Sequence, residues 1–330
     1  MIISKIDKKL WYNLSMLRIL LINLSLLFVG CAVKKPITWE KRVVESNLTH
    51  MELAFNEYGK NHKQTMLFIH GFGESRYTWR FLVDDLSKKY HLVTIDLKGF
   101  GESPKTEDDD YSVYDQAQIV YDFIKNKNLK NITLVGRSFG GGVALVLAIM
   151  QEQQIIKKRL NGLILINSMS YEQKLPSMMR VLTYPIIGFL GIHLMGDKSI
   201  AQEAYNFAFC NDELIPLSSV DHSAKMLSMP LAKYAYLKTV NNIVPDDIKF
   251  IEKSYKDITL PTLILWGKKD VSIPYKFGKR LHKDLPNSYL RIFKKVGHMP
   301  QEEVPKKVLK EINRFMEKKI ESHYKRKNYR

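Results

Sequence analysis

A serine at position 138 lies in the pentapeptide Gly-Arg-Ser-Phe-Gly, residues 136–140, and could present a nucleophile. The apolar run 131–135 before it predicts a strand, and residues 143–148 after it predict a buried helix. In a tight turn between a strand and a helix, a serine hydroxyl projects above the sheet, and the helix N-terminus favours the negative charge that develops there. This context indicates a nucleophile for acyl transfer; the alternative is a serine in a glycine-rich turn without chemistry.

A serine hydroxyl is a weak nucleophile at neutral pH, so it needs a base within hydrogen-bond reach and an acid that orients this base. Of the nine histidines, His298 alone follows a glycine between a predicted strand and a predicted helix, and we interpret it as the base. Asp270 lies in the loop after the apolar run 263–267 and is the candidate acid. The alternatives are a surface histidine and an aspartate that caps a helix or a turn. We expect Ser138, Asp270 and His298 to form a catalytic triad.

Short apolar runs alternate with helical patterns along most of the chain, which predicts an α/β fold with a mostly parallel sheet. Residues 38–59 contain stretches with a period of two and predict the first two strands, paired antiparallel. The helical stretches between the later strands match right-handed crossovers. The later strands are predicted at Met66–His70, His91–Leu97, Ile132–Gly136, Leu163–Asn167, Leu263–Gly267 and Tyr289–Phe293.

One long stretch, residues 169–257, interrupts this alternation because it contains no convincing strand. Its methionine, leucine, isoleucine and aromatic residues predict short helices, inserted as a cap between two strands of the sheet. The core is therefore predicted at residues 38–168 and 258–320. The final helix is predicted to begin near Pro300 and to turn apolar residues at helical spacing toward the core. These residues are Val304, Val308, Ile312 and Phe315.

The motifs and elements together resemble the α/β-hydrolase superfamily over nearly the whole chain, residues 38–319. Residues 70–73, His-Gly-Phe-Gly, resemble the turn after the family's third strand, and residues 96–103 resemble its D-x-x-G-x-G-x-S stretch. The resemblance implies an eight-stranded, mostly parallel sheet with helices on both faces and a helical cap. It also implies structural roles for His70, which steadies its loop, and for Asp96.

The same resemblance assigns roles around the nucleophile. In the family the triad follows the order serine, acid, histidine, and Ser138, Asp270 and His298 reproduce this order. The family's oxyanion hole, which stabilises the negative charge of the tetrahedral intermediate, would be formed here by the backbone amides of Phe72 and Phe139.

The serine at the nucleophile position makes the family chemistries that use an aspartate there, epoxide opening and halide displacement, unlikely candidates. An apolar cap favours an acyl or lipid-like substrate over a sugar or a peptide. We therefore expect a carboxylesterase or small lipase, similar to bacterial monoacylglycerol-lipase-like enzymes, with no cofactor and no metal. The alternatives are a C–C bond hydrolase of ring-cleavage products, a peptidase of the proline-iminopeptidase type, and a non-catalytic binding protein on a hydrolase scaffold.

Arg137 is unusual at the position before the nucleophile. We expect it to be exposed or to form a salt bridge with the acidic run Glu107–Asp110. The alternative is a contact with an anionic group of the substrate.

The chain has 330 residues, of which 45% are hydrophobic and 26% are charged, which is typical of a globular protein. Its net charge is +17, and no nucleic-acid-binding motif accompanies this charge. We interpret the charge as that of a solvated surface. If the basic tail, residues 321–330, binds a partner, anionic lipid is a simpler explanation than nucleic acid. The basic residues at this end are Lys318, Lys319, Lys325, Arg326, Lys327 and Arg330.

Residues 1–30 have the pattern of a secretion signal, with a basic segment at 1–18 and an apolar run at 19–30. The run is too short to cross a bilayer, which takes about 20 apolar residues. Residues 27–31, Leu-Phe-Val-Gly-Cys, resemble a bacterial lipobox, although phenylalanine stands where leucine is usual. The resemblance implies that Cys31 becomes the lipidated first residue of the mature protein.

Lipidation of Cys31 implies a bacterial cell-envelope protein, held to a membrane and joined to its anchor by a linker at residues 31–37. Ala32, which is not an aspartate, is compatible with outer-membrane or periplasm-facing delivery in this sorting pattern. Ordinary secretion, an uncleaved anchor and an accidental apolar start are the alternatives. The second cysteine, Cys210, is predicted to be a buried thiol.

Overall fold

The computed structural model describes residues 51–321, which contain a sheet of seven strands with flanking helices. The strand order across the sheet is β1-β3-β2-β4-β5-β6-β7. Strand β1 runs antiparallel to β3, and every other neighbouring pair is parallel. The strands are β1 (Phe55–Tyr58), β2 (Thr65–Ile69), β3 (His91–Ile95), β4 (Ile132–Arg137), β5 (Leu160–Ile166), β6 (Thr262–Gly267) and β7 (Ser288–Phe293).

This sheet confirms the predicted α/β fold with mostly parallel strands. Each strand predicted from Met66 onward is present, with bounds shifted by a few residues. Of the antiparallel pair predicted at residues 38–59, β1 is described, whereas residues 38–50 lie outside the described part of the chain. The eighth strand of the prediction falls in that segment.

The central strands are continuous apolar runs because the sheet is covered on both faces there. Every residue of β2, β3 and β4 is buried, whereas the edge strand β7 is partly exposed. Since β4, β5 and β6 are parallel neighbours, their carboxyl ends meet at one edge of the sheet. The loops that follow these three strands are therefore brought together.

Each strand from β2 onward is followed by one or more helices. Helix α2 begins at a capping box, in which Ser112 Oγ accepts a hydrogen bond from the Asp115 amide and the Asp115 carboxylate accepts one from the Ser112 amide. Short 3₁₀ turns lie at Arg76–Trp79, Asp212–Leu214 and Tyr255–Asp257, and a π-helical turn lies at Met316–Glu321. The helices are α1 (Arg80–Leu86), α2 (Val113–Asn126), α3 (Phe139–Glu152), α4 (Ser177–Leu182), α5 (Pro185–Leu194), α6 (Asp197–Ala208), α7 (Leu217–Leu227), α8 (Ala232–Asn242), α9 (Ile248–Ser254), α10 (Lys276–Asp284), α11 (Pro300–Glu303) and α12 (Pro305–Phe315).

Helices α4 to α9 lie between β5 and β6, and residues 167–261 contain no strand. Helices α6 and α7 pack on each other around Tyr205 and Val220, and Met299 from the loop before α11 joins this cluster. The helical insertion therefore contacts the last loop of the core. We refer to α4–α9 as the cap.

One hydrophobic core lies between the sheet and helices α1 and α12, with Phe68, Trp79 and Leu265 fully buried. The final helix is divided, contrary to the single helix predicted from Pro300. The break falls at Val304 because Pro305 has no amide hydrogen and restricts the residue before it. The predicted inward positions are confirmed: Val308, Ile312 and Phe315 are buried, and Val304 packs against the same core while partly exposed.

The prediction of a buried Cys210 is wrong, since its side chain is exposed. Cys210 follows α6, where its backbone amide donates to Glu303 Oε2 at 3.0 Å while the thiol faces solvent. Within residues 51–321, no helix is both long and apolar enough to cross a membrane. The predicted signal at 1–30, Cys31, the linker at 31–37 and the tail beyond residue 321 lie outside the described residues.

Candidate active site

Ser138 occupies a strained turn between β4 and α3. Its backbone φ is +50° and its ψ is −119°, a region that residues with a side chain rarely adopt. Hydrogen bonds hold the turn in place: the Ser138 amide donates to the Ile166 carbonyl at 3.0 Å, and the Ser138 carbonyl accepts from the Met169 amide at 2.9 Å. The surrounding backbone thus fixes the direction of the serine side chain.

The structure brings the three predicted triad residues into contact. His298 Nε2 lies 3.1 Å from Ser138 Oγ, and His298 Nδ1 lies 2.7 Å from Asp270 Oδ2. An ionised carboxylate only accepts hydrogen bonds, so the imidazole carries its proton on Nδ1 and donates it to Asp270. The lone pair of Nε2 is then directed at the serine hydroxyl, which is the arrangement a general base requires.

Asp270 is buried, and its carboxylate is held by four donors. Oδ1 accepts from the backbone amides of Ser272 and Ile273, both at 2.8 Å. Oδ2 accepts from His298 Nδ1 and from the side-chain amide of Asn167. These bonds fix the carboxylate so that one oxygen always faces the histidine.

Asn167, at the carboxyl end of β5, is a site residue that the sequence analysis did not identify. Its Nδ2 donates to Asp270 Oδ2 and to the Gly297 carbonyl at 3.3 Å, and its Oδ1 accepts from the Gly267 amide at 3.3 Å. It therefore joins the acid loop to the histidine loop. The sequence does contain one signal for this role: Asn167 is a polar residue at the end of the predicted strand that follows the strand of Ser138.

The loop that carries Phe72 lies directly against the nucleophile. A Cβ atom placed on Gly71 would lie 3.1 Å from Ser138 Cβ, and one on Gly140 would lie 2.3 Å from the His70 carbonyl oxygen, so only glycine allows this approach. Phe139 is the first residue of α3. Within residues 51–321, the amides of Phe72 and Phe139 donate to no other residue.

His70 steadies this loop in the way the sequence analysis expected. The ring is fully buried, with Nδ1 donating to the Gly71 carbonyl at 2.7 Å and Nε2 accepting from the Leu97 amide at 2.9 Å. Asp96 links the same region by accepting from the backbone amides of Arg76 and Glu102. Both side chains are therefore tied to the backbone, as structural roles require.

Arg137 differs from both expectations, since it is neither exposed nor paired with residues 107–110. Its side chain is 3% exposed and forms an ion pair with Glu74, while its Nη2 donates to the His298 carbonyl at 3.0 Å. Glu74 Oε2 in turn accepts from the Gly71 amide at 3.0 Å. Burial lowers the pKa of Arg137 to about 10, so the guanidinium remains charged at neutral pH.

The pair formed by Arg137 and Glu74 therefore ties the loop before Phe72 to the histidine loop. We predict that Arg137→Met lowers kcat/KM by about 100-fold, because displacements near 1 Å in such sites have effects of this size. Breaking a buried ion pair also costs about 3–5 kcal/mol of unfolding free energy. Steady-state kinetics and thermal denaturation measure the two effects.

The double variant Arg137→Met/Glu74→Leu separates the effect on the positions of the two loops from the effect on the unfolding free energy. Replacing both partners of a buried ion pair with apolar residues is often neutral for stability. We expect the double variant to recover most of the lost stability while its kcat/KM stays low, since the His298 carbonyl and the Gly71 amide still lack their partners. Full recovery of kcat/KM would contradict a positioning role.

The histidine loop is also held by Glu303 and by the cap. The Glu303 carboxylate accepts from the amides of Gly297 at 2.8 Å and Met299 at 3.3 Å. The His298 amide donates to the Ala208 carbonyl, at the end of α6, at 2.7 Å. The core therefore fixes the backbone on both sides of His298, and the cap fixes the amide of His298 itself.

Helix α8 of the cap lies over the loop that carries Phe72. Tyr236 donates its hydroxyl hydrogen to the Gly73 carbonyl at 2.8 Å. Its ring packs on those of Phe72 and Phe100, with centroids 5.1 Å and 5.5 Å apart. The wall of the site beside Phe72 is therefore aromatic and comes partly from the cap.

The protonation of His298 predicts the pH dependence of the reaction. Burial lowers the pKa of His298, while the Asp270 carboxylate acts in the opposite direction and Arg137 lowers it further. The base must be neutral, so kcat/KM should fall as the pH drops through this pKa and should be retained above it. We predict a half-maximal point below about 6.5, the ordinary histidine value, in a pH profile with a soluble ester; a midpoint above that value would contradict this assignment.

The described residues contain no cluster of three or more His, Cys, Asp or Glu side chains suited to a metal ion.

The profile of a protein family described as alpha/beta hydrolase fold matches residues 64–305. The chain is 26% identical over 277 residues to the uncharacterized hydrolase YugF of Bacillus subtilis (strain 168), covering 81% of this chain and 94% of that protein. It is 26% identical over 314 residues to Lipase 3 of Moraxella sp. (strain TA144), covering 88% and 94%. Among solved structures, an esterase from Exiguobacterium antarcticum superposes with a TM-score of 0.68 at 19% identity, covering 81% of this chain and 96% of that one.

Proposed function

The chain belongs to the α/β-hydrolase family, and on this basis we propose that it is a serine hydrolase that cleaves carboxylic esters through an acyl-enzyme. The observation that carries the proposal is the hydrogen-bonded series from Ser138 Oγ through His298 to Asp270, with distances of 3.1 Å and 2.7 Å. The similarity to a protein named as a lipase supports the same reaction class.

In the proposed mechanism, His298 Nε2 takes the hydroxyl proton as Ser138 Oγ attacks the ester carbonyl carbon. The carbonyl oxygen becomes negative and is stabilised by the amides of Phe72 and Phe139. As the tetrahedral intermediate collapses, the alcohol leaves with the proton from His298, and the acyl group stays on Ser138. Water then loses a proton to the same histidine and attacks the acyl carbon. The bond from this carbon to Ser138 Oγ breaks, His298 returns the proton to Oγ, and the acid leaves.

The proposed substrate is a small lipid or another acyl ester. The rings of Phe72 and Tyr236, which pack on the buried Phe100, favour an apolar group beside the loop of Phe72. A C–C bond hydrolase of ring-cleavage products, which uses the same triad, is the second candidate among enzymes. A non-catalytic binding protein remains the candidate from another class, and the bonded triad argues against it.

A fluorophosphonate probe and a substrate panel test these candidates together. The probe reacts with an activated serine, so we expect the wild type to be labelled. Labelling would exclude the binding-protein candidate. The panel contains p-nitrophenyl esters of increasing acyl length and a vinylogous diketone of the ring-cleavage type. Hydrolysis of esters with faster turnover than the diketone supports the proposal, whereas cleavage of the diketone alone would replace it with the C–C hydrolase.

We also propose that the protein is held to a bacterial membrane through a lipid on Cys31. The supporting observation is the lipobox-like sequence at residues 27–31 after a basic and apolar start. Several acyl chains bind a membrane stably, whereas one gives only marginal binding. In cells, we predict that the wild type stays in the membrane fraction after a carbonate wash while Cys31→Ala is released. Cys210→Ala is the matched control, and equal retention of all three proteins would refute lipidation as the anchor.

A further inference from the structure

Large exposed apolar side chains concentrate on two adjacent helices of the cap, α4 and α5, and on the residues that flank α5. The most exposed are Ile186, at 76%, and Leu194, at 79%. Of the ten residues of α5, only Gly188 and Ile192 are buried, so the helix is apolar around nearly its whole circumference. The other exposed members are Met178, Val181, Tyr184, Ile187, Phe189, Leu190 and Met195. We call this set the apolar face of the cap.

Within the segment that carries the apolar face, the charged side chains are all basic. Residues 173–196 contain no aspartate or glutamate, whereas Lys174 and Arg180 are exposed within them. Acidic side chains reappear just outside, at Glu172 and Asp197. An apolar helix face with lysine or arginine at its edge and no acid is the pattern that binds an anionic lipid surface.

The dimensions of α5 favour a helix that lies in the membrane interface. It has ten residues, and at about 1.5 Å per residue it extends roughly 15 Å, about half of the 30 Å hydrocarbon core of a bilayer. It cannot cross the bilayer, but its exposed side chains can enter the boundary between headgroups and acyl chains. Contiguous apolar surfaces of this kind are unusual on a protein that contacts only water.

The apolar face also lies on the part of the cap that is connected to the active site. Helix α8 packs against both α4 and α5. The same helix carries Tyr236, which contacts Phe72 and the Gly73 carbonyl in the loop of Phe72. From these observations we infer that α4 and α5 form a docking surface for an anionic lipid bilayer, distinct from any lipid on Cys31.

Docking through this face places the cap, and the loop of Phe72 beneath it, on the membrane side of the molecule. The inference does not depend on ester hydrolysis, because it follows from the exposure and charge of the cap alone. A second copy of the chain or residues 1–50 of the same chain are the other possible occupants, and the experiment below distinguishes them.

A fluorophore on the apolar face tests the docking directly. The full chain with Cys31→Ala and Cys210→Ser is labelled with an environment-sensitive dye at Leu194→Cys. The matched control carries the dye at Leu217→Cys on α7, an exposed leucine outside the face, at 62%. On adding vesicles of phosphatidylglycerol and phosphatidylcholine, we expect a blue shift and brighter emission at position 194, and quenching by nitroxide-labelled lipid. The control should not change.

Three results would overturn the inference. One is an unchanged spectrum at position 194 with vesicles, which would favour cover by the N-terminal segment or no occupant. Another is an equal response at positions 194 and 217. The third is a blue shift at position 194 that depends on protein concentration without lipid, which would indicate a second copy.

Charge substitutions give an independent readout. In the Cys31→Ala background, Ile186→Asp/Leu194→Asp should weaken vesicle co-sedimentation about tenfold or more, since charged side chains enter lipid poorly. Leu214→Asp/Leu217→Asp adds the same charge at exposed leucines elsewhere on the cap and should bind like the parent. Thermal denaturation and circular dichroism check that each variant is folded, independently of any activity. Equal sedimentation of both pairs would contradict the inference.

Discussion

Replacing Ser138 with alanine is expected to lower kcat/KM for p-nitrophenyl esters by at least about 10,000-fold, because the attacking oxygen is lost. The fold should be unaffected: the hydroxyl is partly exposed, and the backbone bonds of the turn to Ile166 and Met169 do not involve it. Steady-state kinetics, fluorophosphonate labelling and thermal denaturation measure the effect. The variant should not be labelled by the probe and should unfold at the temperature of the wild type.

The chain offers a matched control in a second serine–histidine contact. Ser75 Oγ lies 2.8 Å from His222 Nε2, and the His222 ring stacks on Tyr77 with centroids 4.2 Å apart. Within the described residues, no carboxylate accepts a hydrogen bond from this histidine, so the contact lacks the orienting acid of a triad. Ser75→Ala should therefore keep most of its activity. Retained hydrolysis in Ser138→Ala, or loss only in Ser75→Ala, would remove the proposed role of Ser138.

Replacing Asp270 with asparagine is expected to lower kcat/KM by about 10,000-fold, as the equivalent change does in a serine protease. Asp270 Oδ2 accepts hydrogen bonds from His298 Nδ1 and from Asn167. An asparagine that turns its NH₂ group toward Nδ1 makes that nitrogen the acceptor and moves the imidazole proton to Nε2. The histidine then faces Ser138 with a hydrogen and cannot take the hydroxyl proton.

The loss in Asp270→Asn should appear mainly in kcat. The amide nearly matches the carboxylate in size but leaves Asn167 Nδ2 without this acceptor, so the unfolding free energy should fall by about 1–3 kcal/mol. Asp257→Asn, at an exposed aspartate near the end of the cap, is the matched control and should resemble the wild type. The rate of fluorophosphonate labelling should fall with kcat, because labelling requires the same base. Activity within a few-fold of the wild type would show that another group orients His298.

The sequence predicted the sheet well because its central strands are buried on both faces and are therefore uninterrupted apolar runs. Residues 132–136 and 263–267 are recognisable without a partner, and their order along the chain limits where the loops can meet. The grouping of Ser138, Asp270 and His298 was predicted for a related reason. Ser138 and Asp270 follow such buried strands, and His298 stands in a short Gly-His motif after the edge strand β7. Local patterns are sufficient where burial itself imposes the pattern.

Interactions between distant polar residues were not predictable in this way. Arg137 was expected near residues 107–110, yet its partner is Glu74, from the loop that also holds Phe72. Asn167 was placed at a strand end without a role, because its bonds to Asp270 and Gly297 form only once β5 and β6 are paired. A polar side chain at such an edge has several possible partners, and the tertiary structure decides among them.

The hydrogen bond from the His298 amide to the Ala208 carbonyl matters for any redesign that replaces the cap. His298, the proposed general base, is thus anchored in part by the cap. A graft that exchanges α4–α9 for a foreign insertion would have to supply a carbonyl at the position of Ala208. Without this carbonyl, the His298 amide would lose its acceptor and the imidazole would be held less firmly. The cap is therefore part of the support of the imidazole, and it cannot be exchanged as an independent module.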